Sequence, residues 1–394
     1  MTAPRLSPGI ARVIEVLAPL LGAFIEAEQL IAAAGDDACD FMAGNPQELA
    51  GSEYVGALQR WAEPQRRDWF AYVRSNPRAQ ETVAEALREQ LGIDFEPDDI
   101  TLTNAAIAAL AVVLRTVAGE GDEVIIVSPP HFLYEPLIRA AGAEAVRVKV
   151  HPTTFDLDPE DVRAAITPRT RAMILNTPHN PTGRIFPPDT LDALAGVLTE
   201  ASERHGTIYL LSDEAYSRIL FDGNTFTSPA SHYANTILIY SYGKQLLAPG
   251  QRIGFIALPP SMPDRKDLML PLMAAQLVTG WAWPNALLQH ALGDLDPQSV
   301  DMAALQARRD RMVEALREMG YELHVPEATF YLLVKSPLED DQAFFRMLAE
   351  EHVLVLPGTM LELPGTFRIS LTASDEMVER SLPGFARALK RARE

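Results

Sequence analysis

Short runs of consecutive apolar residues recur through the middle of the chain, at 123–127, 145–150, 172–175, 208–211, 237–240 and 253–258. Continuous rather than alternating runs predict strands buried on both faces of a sheet. Helix-like stretches separate several of them. The clearest, 189–203, follows Pro187-Pro188, opens on the capping residue Asp189 and stops near Gly206. Strand and helix in alternation predict right-handed crossovers and a mostly parallel sheet. The C-terminal part is patterned differently, with helices predicted at 305–319 and 377–391 and strands at 330–334, 353–356 and 367–371. That mixture predicts a smaller α+β domain. The apolar stretch 10–24 is broken by Arg12 and Glu15 and followed by Glu26 and Glu28, which predicts an amphipathic helix rather than a signal sequence. No uncharged run is long enough to span a membrane. The expected division is a large domain over 46–285 and a small domain built from 1–45 and 286–394.

Composition narrows the function classes. A chain of 394 residues, 47% of them hydrophobic, can build two domains around substantial cores. Its formal charge of -19 argues against a nucleic-acid or anionic-membrane partner. Cys39 is the only cysteine, so no internal disulfide or cysteine metal cluster is expected, in keeping with a reducing, cytoplasmic setting. The eight histidines lack metal-site spacing, and no metal is expected. No Gly-x-Gly-x-x-Gly joins a strand to a helix, which disfavours a nicotinamide-binding domain.

Ligands of open parallel sheets bind at the carboxyl ends of the strands, so the residues just past each apolar run are the ones to read. Past 172–175 stands Asn176-Thr-Pro-His-Asn180-Pro-Thr-Gly183; past 208–211, Asp213-Glu-Ala-Tyr216; past 237–240, Ser241-Tyr-Gly-Lys244, with Arg252 shortly after. Lys244 is one of only five lysines. An amide, a carboxylate, a phenol, an amine, a hydroxyl and a guanidinium suit a cofactor with a carbonyl, a ring nitrogen, a phenolic oxygen and a phosphate. Lysine bonds the carbonyl as a Schiff base, a carboxylate keeps the ring nitrogen protonated, and serine with arginine holds the phosphate. That cofactor is pyridoxal 5'-phosphate.

With these motifs, the sequence resembles the class I/II aminotransferases of pyridoxal-phosphate fold type I, the aspartate aminotransferase-like group. Thr103-Asn104, Pro357-Gly358 and Phe367-Arg368-Ile369-Ser370 add to the likeness, which covers nearly the whole chain. The resemblance implies a mostly parallel α/β sheet with flanking helices and a smaller α+β domain. It implies Lys244 as Schiff-base lysine and proton-transfer base, Asp213 as partner of the ring nitrogen, and Tyr216 and Asn180 as donors to the ring oxygen. Ser241, Arg252 and the turn Ala105-Ala106-Ile107 match the phosphate ligands, and Arg368 the clamp for the substrate carboxylate. Gly44-Asn45-Pro46 resembles the segment over the substrate. Tyr72 is similar to a tyrosine that reaches the phosphate from the neighbouring subunit of a homodimer.

Three positions depart from the family pattern. Ala105-Ala106 stand where glycine and a hydroxyl residue are common. His131 stands where an aromatic ring usually stacks on the cofactor, and its imidazole could also titrate near neutral pH. Trp281 and Trp283 replace small polar residues and are read more readily as packing than as substrate contacts. The expected activity is amino transfer from an L-amino acid to a 2-oxo acid. The alternative is a lyase or β/γ-substitution enzyme, including 1-aminocyclopropane-1-carboxylate synthase-like chemistry. A cofactor-sensing regulator would need a basic helix-turn-helix before residue 40, and none is present.

Overall fold

The structure, a computed structural model, describes residues 5–394; the first four residues of the 1–45 segment lie outside the described residues. Seven strands form the central sheet, in the order Ile100–Thr103, Gly254–Ala257, Thr236–Ser241, Tyr209–Asp213, Thr170–Asn176, Glu123–Ser128 and Glu144–Lys149. All run parallel except Gly254–Ala257, which is antiparallel to both of its neighbours. The interior strands are double-sided, as their continuous apolar runs require. Ile126, Ile174 and Leu211 pack under the helix Ala105–Val117, while Ile125, Met173 and Leu210 pack under Pro188–His205.

Glu144–Lys149 departs from the expectation of burial on both faces. It is an outer strand paired only with Glu123–Ser128, and Glu144, Arg147 and Lys149 are exposed. Charge along such an edge discourages pairing with another chain. The opposite outer strand, Ile100–Thr103, is buried throughout. Its free backbone groups are covered by side chains: Leu102 N–H donates to Ser75 Oγ (3.0 Å), and Gln80 Nε2 donates to the Ile100 carbonyl (2.7 Å).

The smaller sheet is antiparallel, in the order Leu356–Pro357, Thr366–Ser370, Tyr331–Lys335 and Leu323–His324. Phe344, Phe367 and Phe385 fill the core between it and the helices Asp341–Glu350 and Asp375–Arg393. The predicted N-terminal helix extends over Pro8–Ala34 and packs on the helix Tyr134–Ala141 beside the large sheet. Immediately afterwards Cys39–Asp40 pairs in parallel with Val353–Leu354 on the small-domain side. The N-terminal segment therefore touches both units. The helix Ala286–Leu295 packs against Ser52–Ala62 and Pro77–Leu91. Among the described residues, no helix is long and apolar enough to cross a membrane.

Candidate active site

Thr103, Asn176, Asp213 and Ser241 end parallel strands and share one edge of the sheet, with Asn176 in register with Asp213, and Thr103 and Ser241 both opposite Gly254. A side chain at Gly254 has no room: a Cβ would lie 2.3 Å from the Tyr240 carbonyl oxygen and 2.9 Å from the Ala105 Cα. The helix Ala105–Val117 can thus start close against the sheet. Beyond this edge is a cavity of about 160 Å³ lined by Asn180, Asp213, Tyr216, Ser241, Lys244 and Arg252, together with Ala106, Ile107 and His131. Asn180, Asp213, Tyr216, Ser241, Lys244 and Arg252, read from the strand ends, line this one cavity, as do Ala106, Ile107 and His131, read from the resemblance.

Asp213 is buried. Its Oδ2 accepts from the Tyr134 hydroxyl at 2.6 Å and its Oδ1 from the Ala215 N–H at 3.4 Å. Burial holds its carboxyl above the usual range, while these two donors and the charge of Lys244 pull the other way. Tyr134 is a site residue that the sequence reading missed. Its signal was available as a tyrosine three residues after His131, at the start of a helix.

The Asn176 amide ties two of the strand-end loops together, donating to the Asp213 carbonyl (2.8 Å) and accepting from the Asn180 N–H (2.8 Å). Asn180 Oδ1 in turn accepts from Arg368 Nη1 (2.9 Å), and Arg368 Nη2 donates to the Met42 carbonyl (2.9 Å). Arg368 is 3% exposed and its Nε has no partner. Its guanidinium carbon lies 3.8 Å from the ring centre of Tyr331, a second residue that sequence reasoning missed. Burial acts to raise the Tyr331 phenol, but Lys244 and Arg368 hold it below its ordinary value. Gly44 passes so close that a Cβ would meet Phe330 at 2.6 Å and the Tyr331 hydroxyl at 2.7 Å, so glycine is what lets the N-terminal segment lie here.

Lys244, Arg252 and Arg368 form no ion pair among the described residues. In a chain of charge -19, Lys244 and Arg252 line the cavity with the buried Asp213, and Arg368 is tied to it through Asn180. Of the three only Arg368 is buried, and a buried charge without an ion-pair partner calls for a compensating anion from a ligand.

The helix Ala105–Val117 turns its N-terminus to the cavity, where free N–H groups favour an anion. Ala105 has φ 67°, a left-handed conformation that an alanine Cβ strains by about 1–2 kcal/mol. Ala105→Gly is therefore expected to stabilise the protein by about 1 kcal/mol, measured by chemical denaturation.

His131 stacks on Phe132 (ring centres 4.4 Å apart), and its Nδ1 accepts from the Leu133 N–H (3.3 Å). Burial, with Lys244 and Arg368 close by, pushes its pKa down to about 3. That shift favours the neutral imidazole, and with it stacking over titration near neutral pH. Tyr72, Trp281 and Trp283 do not line the cavity. Tyr72 is 94% exposed, and the Trp281 carbonyl accepts from Asn104 Nδ2 (2.9 Å).

Glu214 points away from this cavity. Its Oε1 accepts from Ser212 Oγ (2.8 Å) and Ser228 Oγ (2.6 Å), yet burial pushes its pKa up to about 8. The folded protein keeps this proton where the unfolded chain releases it. Its contribution is therefore greatest below the unfolded pKa near 4.5 and is lost as pH rises to about 8. Glu214→Gln removes that slope. The stability of the variant relative to the parent should climb with pH between 5 and 8, by up to about 1.4 kcal/mol per unit. A flat difference in denaturation midpoints would refute this.

The family model "Aminotransferase class I and II" matches residues 37–383. An aspartate/prephenate aminotransferase of Thermus thermophilus is 32% identical over 396 residues, covering 98% of this chain and all of that one. One from Cereibacter sphaeroides is 30% identical, covering 89% of this chain and 91% of its own. Among solved structures, an amino transferase from Eubacterium rectale superposes with a TM-score of 0.91 at 27% identity over the whole of both chains. The Thermus thermophilus aspartate aminotransferase with maleate gives 0.81 at 28% identity, covering 98% of this chain and all of that one.

Proposed function

Since this chain belongs to the class I and II aminotransferases and is a pyridoxal 5'-phosphate-dependent enzyme of amino transfer, we propose that its residues divide that work as follows. When bound, the cofactor supplies a carbonyl that bonds amines and a protonated ring that withdraws electrons. Lys244 would hold the cofactor at its carbonyl, and its Nζ would be the group that takes the proton of the substrate α-carbon. Asp213, kept in place by Tyr134 and Ala215, holds the ring nitrogen. Tyr216 and Asn180 donate to or orient the ring oxygen, and His131 stacks beside the ring. Ser241, Arg252 and the N–H groups of Ala105, Ala106 and Ile107 hold the phosphate. Ser241 is free for this because its hydroxyl caps no helix. Arg368, oriented by Asn180 and Met42, clamps the substrate carboxylate beneath the Gly44 segment.

The observation that carries this reading is the meeting of Lys244, Arg252 and the buried Asp213 in one cavity at the strand ends, with Arg368 tied in through Asn180. Arg252 suits the cofactor phosphate and Arg368 the substrate carboxylate, one guanidinium for each anion, which leaves Lys244 for the carbonyl. The test is spectral. An amino acid alone should change the absorbance of the bound cofactor, and a 2-oxo acid should restore it. Spontaneous recovery with release of ammonia would favour the lyase alternative instead.

The enzyme acts as a homodimer in this reading. Support comes from exposed apolar side chains (Phe70, Tyr72, Leu270, Leu277 and Val278) that a single chain leaves in water. Tyr72 would then serve the partner's phosphate site. Light scattering that returned the monomer mass would contradict this.

A further inference from the structure

In the turn Tyr242–Gln245, Gly243 and Lys244 line the cofactor cavity, while Tyr242 and Gln245 do not. Both of these are buried and reach instead to the chain that follows the helix Ala286–Leu295. Gln245 Nε2 donates to the carbonyls of Asp296 (2.7 Å) and Gln298, and the Val300 N–H donates to the Gln245 carbonyl (2.8 Å). Gln245 Oε1 accepts from the Tyr240 hydroxyl (2.6 Å) and from Arg218 Nη1 (3.1 Å). The amide thus uses both of its protons and both lone pairs of its oxygen. The Tyr242 hydroxyl donates to Asp296 Oδ1 at 2.7 Å. Burial pushes the Tyr240 and Tyr242 phenols above their ordinary value, so each keeps the proton it donates.

Arg218 brings in a second loop. It stands two residues after Tyr216, and its guanidinium donates to the Asp296 carbonyl (2.8 Å) and to Asp296 Oδ1 (3.0 Å). The side chains of this ion pair are 16% and 12% exposed. Apolar residues of similar volume would hold such a place at least as stably, so stability alone does not account for the pair.

Lys244 has no comparable hold of its own. Its Nζ stands 5.9 Å from the ring centre of Tyr216 and 5.6 Å from that of Phe330, contacts too loose to fix an amine. Leu247, three residues on, has φ 45°, a left-handed conformation that a leucine keeps only where its surroundings impose it.

We propose that Gln245, Tyr242, Arg218 and Asp296 are positioning residues, which set where the Lys244 amine stands relative to Tyr216 by tying the Lys244 turn and the Tyr216 loop to one carboxylate, an inference that rests on the amino-transfer reading of Lys244. A proton-transfer group displaced by about 1 Å loses about 100-fold in rate. Arg368 takes no part in this network, so substrate binding should persist.

The test uses the holoenzyme and its Gln245→Met and Tyr242→Phe variants, the second of which removes only a hydroxyl. With an amino donor that the parent accepts, kcat should fall about 100-fold in Gln245→Met and about 10-fold in Tyr242→Phe, with KM within about 3-fold of the parent's. The absorbance of the bound cofactor, titrated with pH, reports the proton on the Lys244 nitrogen. The ring faces of Tyr216 and Phe330 favour that proton, so the midpoint should fall in both variants, by about 0.5 in Gln245→Met. Tyr242→Phe decides the matter if Gln245→Met fails to fold. Parent-like kcat and an unmoved titration would overturn the proposal and leave amino transfer standing. So would turnover lost only in step with the folded fraction, with the titration unmoved. Failure of the parent to transfer from any amino acid would overturn the amino-transfer reading and this inference with it.

Discussion

Lys244→Ala is expected to abolish amino transfer, with turnover falling by at least about 10⁴-fold. Lys244 stands just past the strand Thr236–Ser241, on a short helical turn, and lines the cavity beside Asp213 and Tyr216. Its Nζ lies 5.9 Å from the ring centre of Tyr216 and 5.6 Å from that of Phe330. Among the described residues no carboxylate pairs with it, so the amine is available both to bond a carbonyl and to take a proton. One residue performs both tasks, and alanine removes both. The variant should fold, because Lys244 anchors none of the contacts that join the loops. Two readouts separate chemistry from folding. Borohydride should fix the cofactor to the parent at Lys244, as read by peptide mass, and should fix none to the variant. Retained turnover would transfer the role to another group.

Arg368→Met should lower kcat/KM roughly 10³-fold while the denaturation midpoint holds or rises. A buried, hydrogen-bonded charge that loses its partner costs about 2–5 kcal/mol, and the substrate carboxylate is the partner proposed here. Without substrate the guanidinium is an uncompensated charge at 3% exposure with an unpaired Nε. Such a group is held at the expense of stability for the sake of binding. Methionine fills similar volume with no charge to desolvate. Loss of stability in step with loss of activity would mark Arg368 as a structural arginine serving the Asn180 and Met42 contacts.

The site was legible in the sequence to the extent that strands deliver it. Asn180, Asp213, Ser241, Lys244 and Arg252 each follow an apolar run, and a parallel sheet collects such ends at one edge. Tyr331 was hidden because it sits inside a strand, where a tyrosine between Phe330 and Leu332 reads as core. The state of His131 was hidden for another reason. Its neutrality depends on burial and on Lys244 and Arg368, which only the fold brings near it. Strand direction was likewise illegible at 253–258, since a run buried on both faces looks the same when reversed. At 145–150 the charged positions Arg147 and Lys149 were visible signals of an outer strand, and the expectation of burial on both faces passed over them.

The covered outer strand Ile100–Thr103 has a consequence for synthesis. Its sheet neighbour, Gly254–Ala257, is encoded about 150 residues later. At ordinary translation speeds, ribosomes need on the order of 10–30 s to deliver that neighbour. During that interval Ile100 and Leu102 have no ladder to join. Ser75 and Gln80, whose side chains occupy the outer side of this strand, have already left the ribosome. The nascent chain thus carries its own temporary guard upstream of the exposed segment, and one side of the strand can be shielded before the other is paired.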